Sequence, residues 1–189
     1  MNRKRILWIT HTAIFIALLI SAQAFTRPMG QFVTGSCVNF VLVAASILGG
    51  LSSAVIVAVI SPVFAFIIIG VPLFPQIVPF IMLGNFALVV AFYLIAGKSF
   101  DNLNTSAYVR ICGAAVVGSV LKFLVLWVGV TQVALSLIPD IRPPQVEAMT
   151  FAFSWPQLVT ALIGSAVAIV VMPSLARALR HSAVAEQIK

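Results

Sequence analysis

Apolar residues come in long runs along this chain, and short clusters of Gly, Pro and polar residues punctuate them. Runs of about 18 to 22 residues recur, each long enough to cross a hydrocarbon core of roughly 30 Å as a helix. The pattern predicts helices over about residues 6–25, 34–48, 51–69, 77–96, 108–130 and 150–172. Gly49-Gly50 leaves room for only a hairpin between the second and third. Pro62 falls inside the third, where a proline removes one backbone hydrogen bond that neighbours in a bundle can make good. Loops are expected at Arg27 to Val33, Gly70 to Gln76, Gly97 to Ala107 and Thr131 to Met149, and Pro173 is expected to end the last helix before a basic tail. The expected fold is all-α and integral to the membrane: one domain, residues 1–189, folded as a six-helix bundle.

Composition agrees with the pattern. With 62% hydrophobic and 8% charged residues, the chain lacks the charge a soluble surface needs. The formal charge of +7 could suggest nucleic acid, but its distribution points elsewhere. Arg3, Lys4, Arg5, Lys98, Arg110, Arg177, Arg180 and Lys189 fall on one side of the expected topology, and Arg27 and Arg142 on the other. That asymmetry is the positive-inside signature, and it places both termini in the cytoplasm. No basic stretch interleaved with aromatics, of the kind that binds single strands, is present. A cleaved signal peptide is disfavoured, because the first run exceeds a typical h-region and five more spans follow. Cys37 and Cys112 are expected near opposite membrane faces as free buried thiols.

Small residues four apart let helix backbones approach closely, and such pairs recur at Ala54/Ala58, Ala87/Ala91, Ala114/Gly118 and Gly164/Ala168. Ala13 and Ala17 form the same spacing in the first helix, and either internal packing or docking of a partner helix accounts for it. His11 reads as a hydrogen-bonded structural residue, since no second metal ligand accompanies it.

Lys122 is the one charge expected deep inside a span. No acidic residue falls within any expected span to pair with it. Such a charge marks a functional position unless its long stem snorkels to the interface. The amides favour a pocket. Asn39 lies about one turn into its span and Asn85 about 12 Å down, at ~1.5 Å per residue. Gln31, Thr34, Gln76, Gln132, Trp127, Trp155 and Gln157 gather towards the same face, although the two tryptophans suit an interfacial belt equally well. Together these residues describe a polar pocket opening outward under the first, third and fifth loops. The chain carries no P-loop, HExxH, GxSxG or paired intramembrane carboxylates. No enzyme activity, catalytic residue, metal or cofactor is therefore expected, and energy, if any is used, must come from another protein.

The chain resembles the substrate-binding S components of energy-coupling factor (ECF) vitamin transporters. The likeness rests on its six spans, on Ala13 and Ala17 as the family's A-x-x-x-A docking motif, and on T-G-x-x-V-N at Thr34, Gly35, Val38 and Asn39. It extends through Pro62 and Gly70 to P-F-I-M-L-G-N ending at Asn85. The resemblance implies a subunit of the bacterial cytoplasmic membrane that captures a vitamin or related micronutrient from outside. It would topple to deliver that substrate inward, working with a transmembrane coupling subunit and two cytoplasmic ATPases. Lys122 leans towards a carboxylate, phosphate or carbonyl on the ligand. A six-span scaffold of the MreD type, without a small-molecule ligand, is the alternative.

Overall fold

A computed structural model describes residues 3–97, 99–100 and 103–187, with side-chain environments for residues 5–175 of these. Lys98, Asp101, Asn102 and Lys189, expected in polar loops and the tail, lie outside the described residues, as do the side chains of Arg3, Lys4, Arg177 and Arg180. The fold is helical, with no strand among the described residues, and six helices are long and apolar enough to cross a membrane. In chain order they are built on α1 (Arg3–Thr26), α2 (Gln31–Leu48), α3 (Gly50–Phe64, whose span runs on through a π-helical turn to Ile69), α4 (Val78–Ala96), α5 (Thr105–Leu126) and, after a short α6 (Pro143–Ala152), α7 (Trp155–Gln187).

Turn chemistry sets the hairpins. Gly50 opens α3 at φ 74°, and Gly70 closes the third span at φ 70°, conformations that cost a side chain dearly. Asn104 caps α5 by accepting from the Ala107 N–H at 2.8 Å.

The most extensive packing joins α4 to α5 and α2 to α7. At the first contact the two helices exchange side chains. A Cβ on Gly84 of α4 would fall 2.8 Å from Leu126, and one on Gly118 of α5 would fall 3.1 Å from Leu88. At the second, a Cβ on Gly164 of α7 would meet the Ser36 carbonyl oxygen at 2.6 Å and the Phe40 N at 2.7 Å. The small residues thus buy close backbone approach, which is what drives helix association where lipid offers no hydrophobic contrast. Ala54, Ala58, Ala91, Ala114, Gly118, Gly164 and Ala168 are all buried. Ala13 and Ala17 are exposed instead. Their helix, α1, packs on α2 and α3 through Leu19 and Thr12, so internal packing does not account for the alanine pair.

Several expectations are corrected. The stretch expected as a loop over Thr131 to Met149 is largely helical: α5 continues as a π-helical segment (Trp127–Ala134) and a 3-10 turn (Leu135–Leu137), and α6 begins at Pro143. Pro143 and Pro144 start a helix where missing N–H groups cost nothing, and the Gln145 side chain accepts from the Arg142 N–H at 3.1 Å. The last helix begins at Trp155 and runs through Pro173 to Gln187, because no glycine follows Gly164 and the segment is rich in Ala and Leu. The second helix starts at Gln31, three residues earlier than expected. Cys37 and Cys112 are free, but Cys112 is exposed on the flank of α5. His11 is likewise exposed, on the outer face of α1.

Two apolar clusters fill the bundle. The larger includes Leu19, Leu42, Val57, Leu88, Phe92, Ile111 and Met172. The smaller, of Ile77, Leu126, Val130, Ala134, Leu135, Ile138 and Phe153, lies towards the end where α2 begins. A polar centre interrupts this apolar interior.

Candidate functional site

Lys122 of α5, Asn39 of α2 and Asn85 of α4 meet in the middle of the bundle, 3%, 1% and 2% exposed. The Lys122 ammonium donates to Asn39 Oδ1 at 2.6 Å and to Asn85 Oδ1 at 2.7 Å. An ammonium has only donors, so both amides must turn their oxygens towards it. Their nitrogens then face away: Asn39 Nδ2 donates to Thr160 Oγ1 of α7 and Asn85 Nδ2 to the Ala58 carbonyl of α3, each at 3.4 Å. Four other helices are therefore linked to the charge that α5 carries.

The Asn85 contact follows from a single residue of α3. In an unbroken helix the Ala58 carbonyl would accept from the N–H of residue 62. Position 62 is proline and has no N–H, so that carbonyl is free to take the Asn85 amide. The π-helical turn Ala65–Ile69 follows directly, and Ala65 faces the same space as Asn85. On the other side Gly164 provides the clearance for Asn39, whose Cβ would lie 2.7 Å from a Cβ at that position.

Beside these three residues is a cavity of about 140 Å³. Gln31 and Val71, both exposed, mark its mouth at the end of the bundle where α2 begins. Thr34, Gln23 and Gln157 add polar groups to its wall, while Val38, Ile81, Leu126 and Phe153 make it apolar. Gln157 is held by a hydrogen bond from its Nε2 to the Ala152 carbonyl at 2.9 Å, and Thr160 donates to the Gln157 carbonyl at 3.2 Å. At the mouth, Arg27 donates through Nη1 to the Ile69 carbonyl, tying the turn before α2 to the end of the third span.

The cavity brings together Asn39, Asn85, Lys122, Gln31 and Thr34. Lys122 is held by the two asparagines and does not snorkel. Gln76, Trp127 and Trp155 do not line the cavity. Gln76 sits on the 3-10 turn Pro75–Ile77, with its Oε1 buried and without a partner. Trp127 is 41% exposed and stacks on Phe123; Trp155 is 51% exposed and packs its ring against Phe32 and Phe151. Both lie on the outer flank, as belt residues do. Gln132 is exposed and donates to Thr131. Gln23 and Thr160 were not singled out from sequence. Gln23 carried the same signal as the asparagines, a lone amide in an apolar run; Thr160, three residues after Gln157, shares its helical face.

No cluster of three or more His, Cys, Asp or Glu side chains able to hold a metal occurs among the described residues. Comparison with protein-family models, with curated proteins and with solved structures found no match.

Proposed function

We propose that this chain is the substrate-capturing membrane subunit of an ECF-type importer, taking a vitamin or related micronutrient from outside into the cavity at Lys122. The observation that carries this reading is a buried ammonium held by two carboxamides on the wall of a cavity. A charge in that position is expensive to keep, and a ligand that satisfies it gives the cost a purpose. A six-span scaffold of the MreD type would need no ligand cavity beside such a centre. The distribution of basic residues along the sequence favours cytoplasmic termini, and in that orientation the mouth opens outward. In this reading the energy comes from two cytoplasmic ATPases acting through a transmembrane coupling subunit, as the resemblance to ECF S components implies, and this chain itself carries no P-loop.

The exposure of Ala13 and Ala17 supports docking of that coupling subunit on α1. Exposed on α1, they form a small-residue face on which a partner helix can pack closely. Replacing both with leucine should abolish co-purification with the coupling subunit while ligand-induced thermal stabilisation stays as in the parent protein. Retention of the complex would sink the docking assignment. Stabilisation by a panel of vitamins tests the capture function itself, since a ligand at a hundredfold its Kd adds about 2.7 kcal/mol. If no vitamin shifts the melting temperature, the importer reading fails.

Pro62 offers a further check. With Pro62→Ala the Ala58 carbonyl regains a backbone donor and Asn85 loses its anchor. The variant should melt higher, by part of the ~3 kcal/mol that a proline costs inside a helix, and bind its vitamin more weakly. Higher stability with undiminished binding would show that Asn85 needs no help from Ala58.

A further inference from the structure

Resting on the capture reading, the site can be assigned a class of ligand. The groups around Lys122 are short of negative charge. The four acidic residues are Asp101, Asp140, Glu147 and Glu186; none lies on α2, α4 or α5, and Asp140 and Glu147 are exposed. The polar side chains that line the cavity besides Lys122, namely Gln23, Gln31, Thr34, Asn39, Asn85 and Gln157, are all neutral.

The hydrogen bonds lean the same way. Lys122 has three N–H donors and spends two, on Asn39 and Asn85; the third has no acceptor among the described residues. The amide oxygens of both asparagines are committed to the ammonium, which leaves their NH₂ groups facing outward from it. Each of those NH₂ groups has two hydrogens and one long contact of 3.4 Å. What this centre lacks is an acceptor that also carries charge. An ionised carboxylate supplies both, since it accepts through two oxygens and donates nothing. A single ammonium balances one negative charge, so a phosphate monoester would bring a surplus into an apolar wall.

Size limits the rest of the molecule. Ligand pockets commonly measure roughly 300–1,000 Å³, whereas this cavity measures about 140 Å³. Corrinoids and other large cofactors do not fit. The space suits a single ring or a short chain, and Val38, Ile81, Leu126 and Phe153 offer that body an apolar wall.

We propose that the cavity takes a small monocarboxylate, its anionic head on the Lys122 ammonium between Asn39 and Asn85, and its uncharged body against Leu126 and Phe153.

Matched acids and amides test this with the full chain in detergent or nanodiscs. Thermal unfolding would be followed with acetate, benzoate and pyridine-3-carboxylate at millimolar concentration, each beside its carboxamide, and with phenyl phosphate. The aromatic acids should raise the melting temperature and bind at least tenfold more tightly than their amides. Lys122→Gln, which keeps a donor for the asparagines, should erase that difference. Equal shifts from acids and amides, tighter binding of phenyl phosphate than of benzoate, no response to any acid, or an acid preference that survives Lys122→Gln would each overturn the assignment. Failure of the importer reading looks different. If acids bind selectively but no coupling subunit is recruited, the carboxylate site stands and the transporter falls; uptake of a neutral nutrient through the same cavity would do the reverse.

Discussion

Lys122→Ala should weaken ligand binding at least about tenfold, equivalent to about 1.4 kcal/mol, while the yield of folded protein is unchanged. The two halves of this result have different causes. A hydrogen bond to a charged group is worth about 1.5–3 kcal/mol, and the alanine variant loses that contact with the ligand outright. Stability is a balance. The variant strands the Oδ1 atoms of Asn39 and Asn85, at about 1–3 kcal/mol for each buried unsatisfied group. It also removes a desolvated charge whose neutral partners repay only part of a penalty of several kcal/mol. These terms oppose each other, so the bundle survives. Isothermal titration and size-exclusion yield measured side by side separate them. Unchanged affinity would mean that the ammonium is structural.

The second large effect is expected at Gly164. A methyl group there would fall 2.6 Å from the Ser36 carbonyl oxygen, 2.7 Å from the Phe40 N and 2.7 Å from Asn39 Cβ. Two of these are backbone atoms, which cannot swing aside as the tip of a side chain can. The α2 and α7 helices must separate, at an overpacking cost of about 1–3 kcal/mol. Asn39 moves with α2, so Gly164→Ala should lower the melting temperature and loosen ligand binding together. Gly113→Ala serves as the control, since a methyl there meets open space. It should be neutral or stabilising, by up to the ~1 kcal/mol that separates glycine from alanine in a helix. If the two variants behave alike, the close approach of α2 and α7 does not hold the site.

These variants show how differently the chain's features reveal themselves. The six spans were legible because each depends on its own residues: transfer of a long apolar run out of water is a local property of that run. The Gly49-Gly50 hairpin was legible for a similar reason, as the turn needs a positive φ that Gly50 supplies. Lys122 stood out as one charge in an apolar stretch. The helix at Pro143–Ala152 was missed because a proline pair reads equally as a turn or as the first turn of a helix. Gln76, Trp127 and Trp155 were assigned to the pocket because they fall towards the same membrane face. Depth fixes only a level in the bundle, and the rotation of each helix decides whether a side chain at that level points inward.

From sequence alone came the membrane class, the number of spans and the residue types that could form a polar centre. Tertiary structure decided which of those residues meet. Asn39, Asn85 and Lys122 are separated by dozens of residues, and their contact requires α2, α4 and α5 to be neighbours at one rotation. It also decided that Ala13 and Ala17 face away from the bundle while equally spaced pairs in later helices face in. Apolarity is summed along a segment, so a linear string records it; pairing between segments depends on how helices pack, and no single segment encodes its partner.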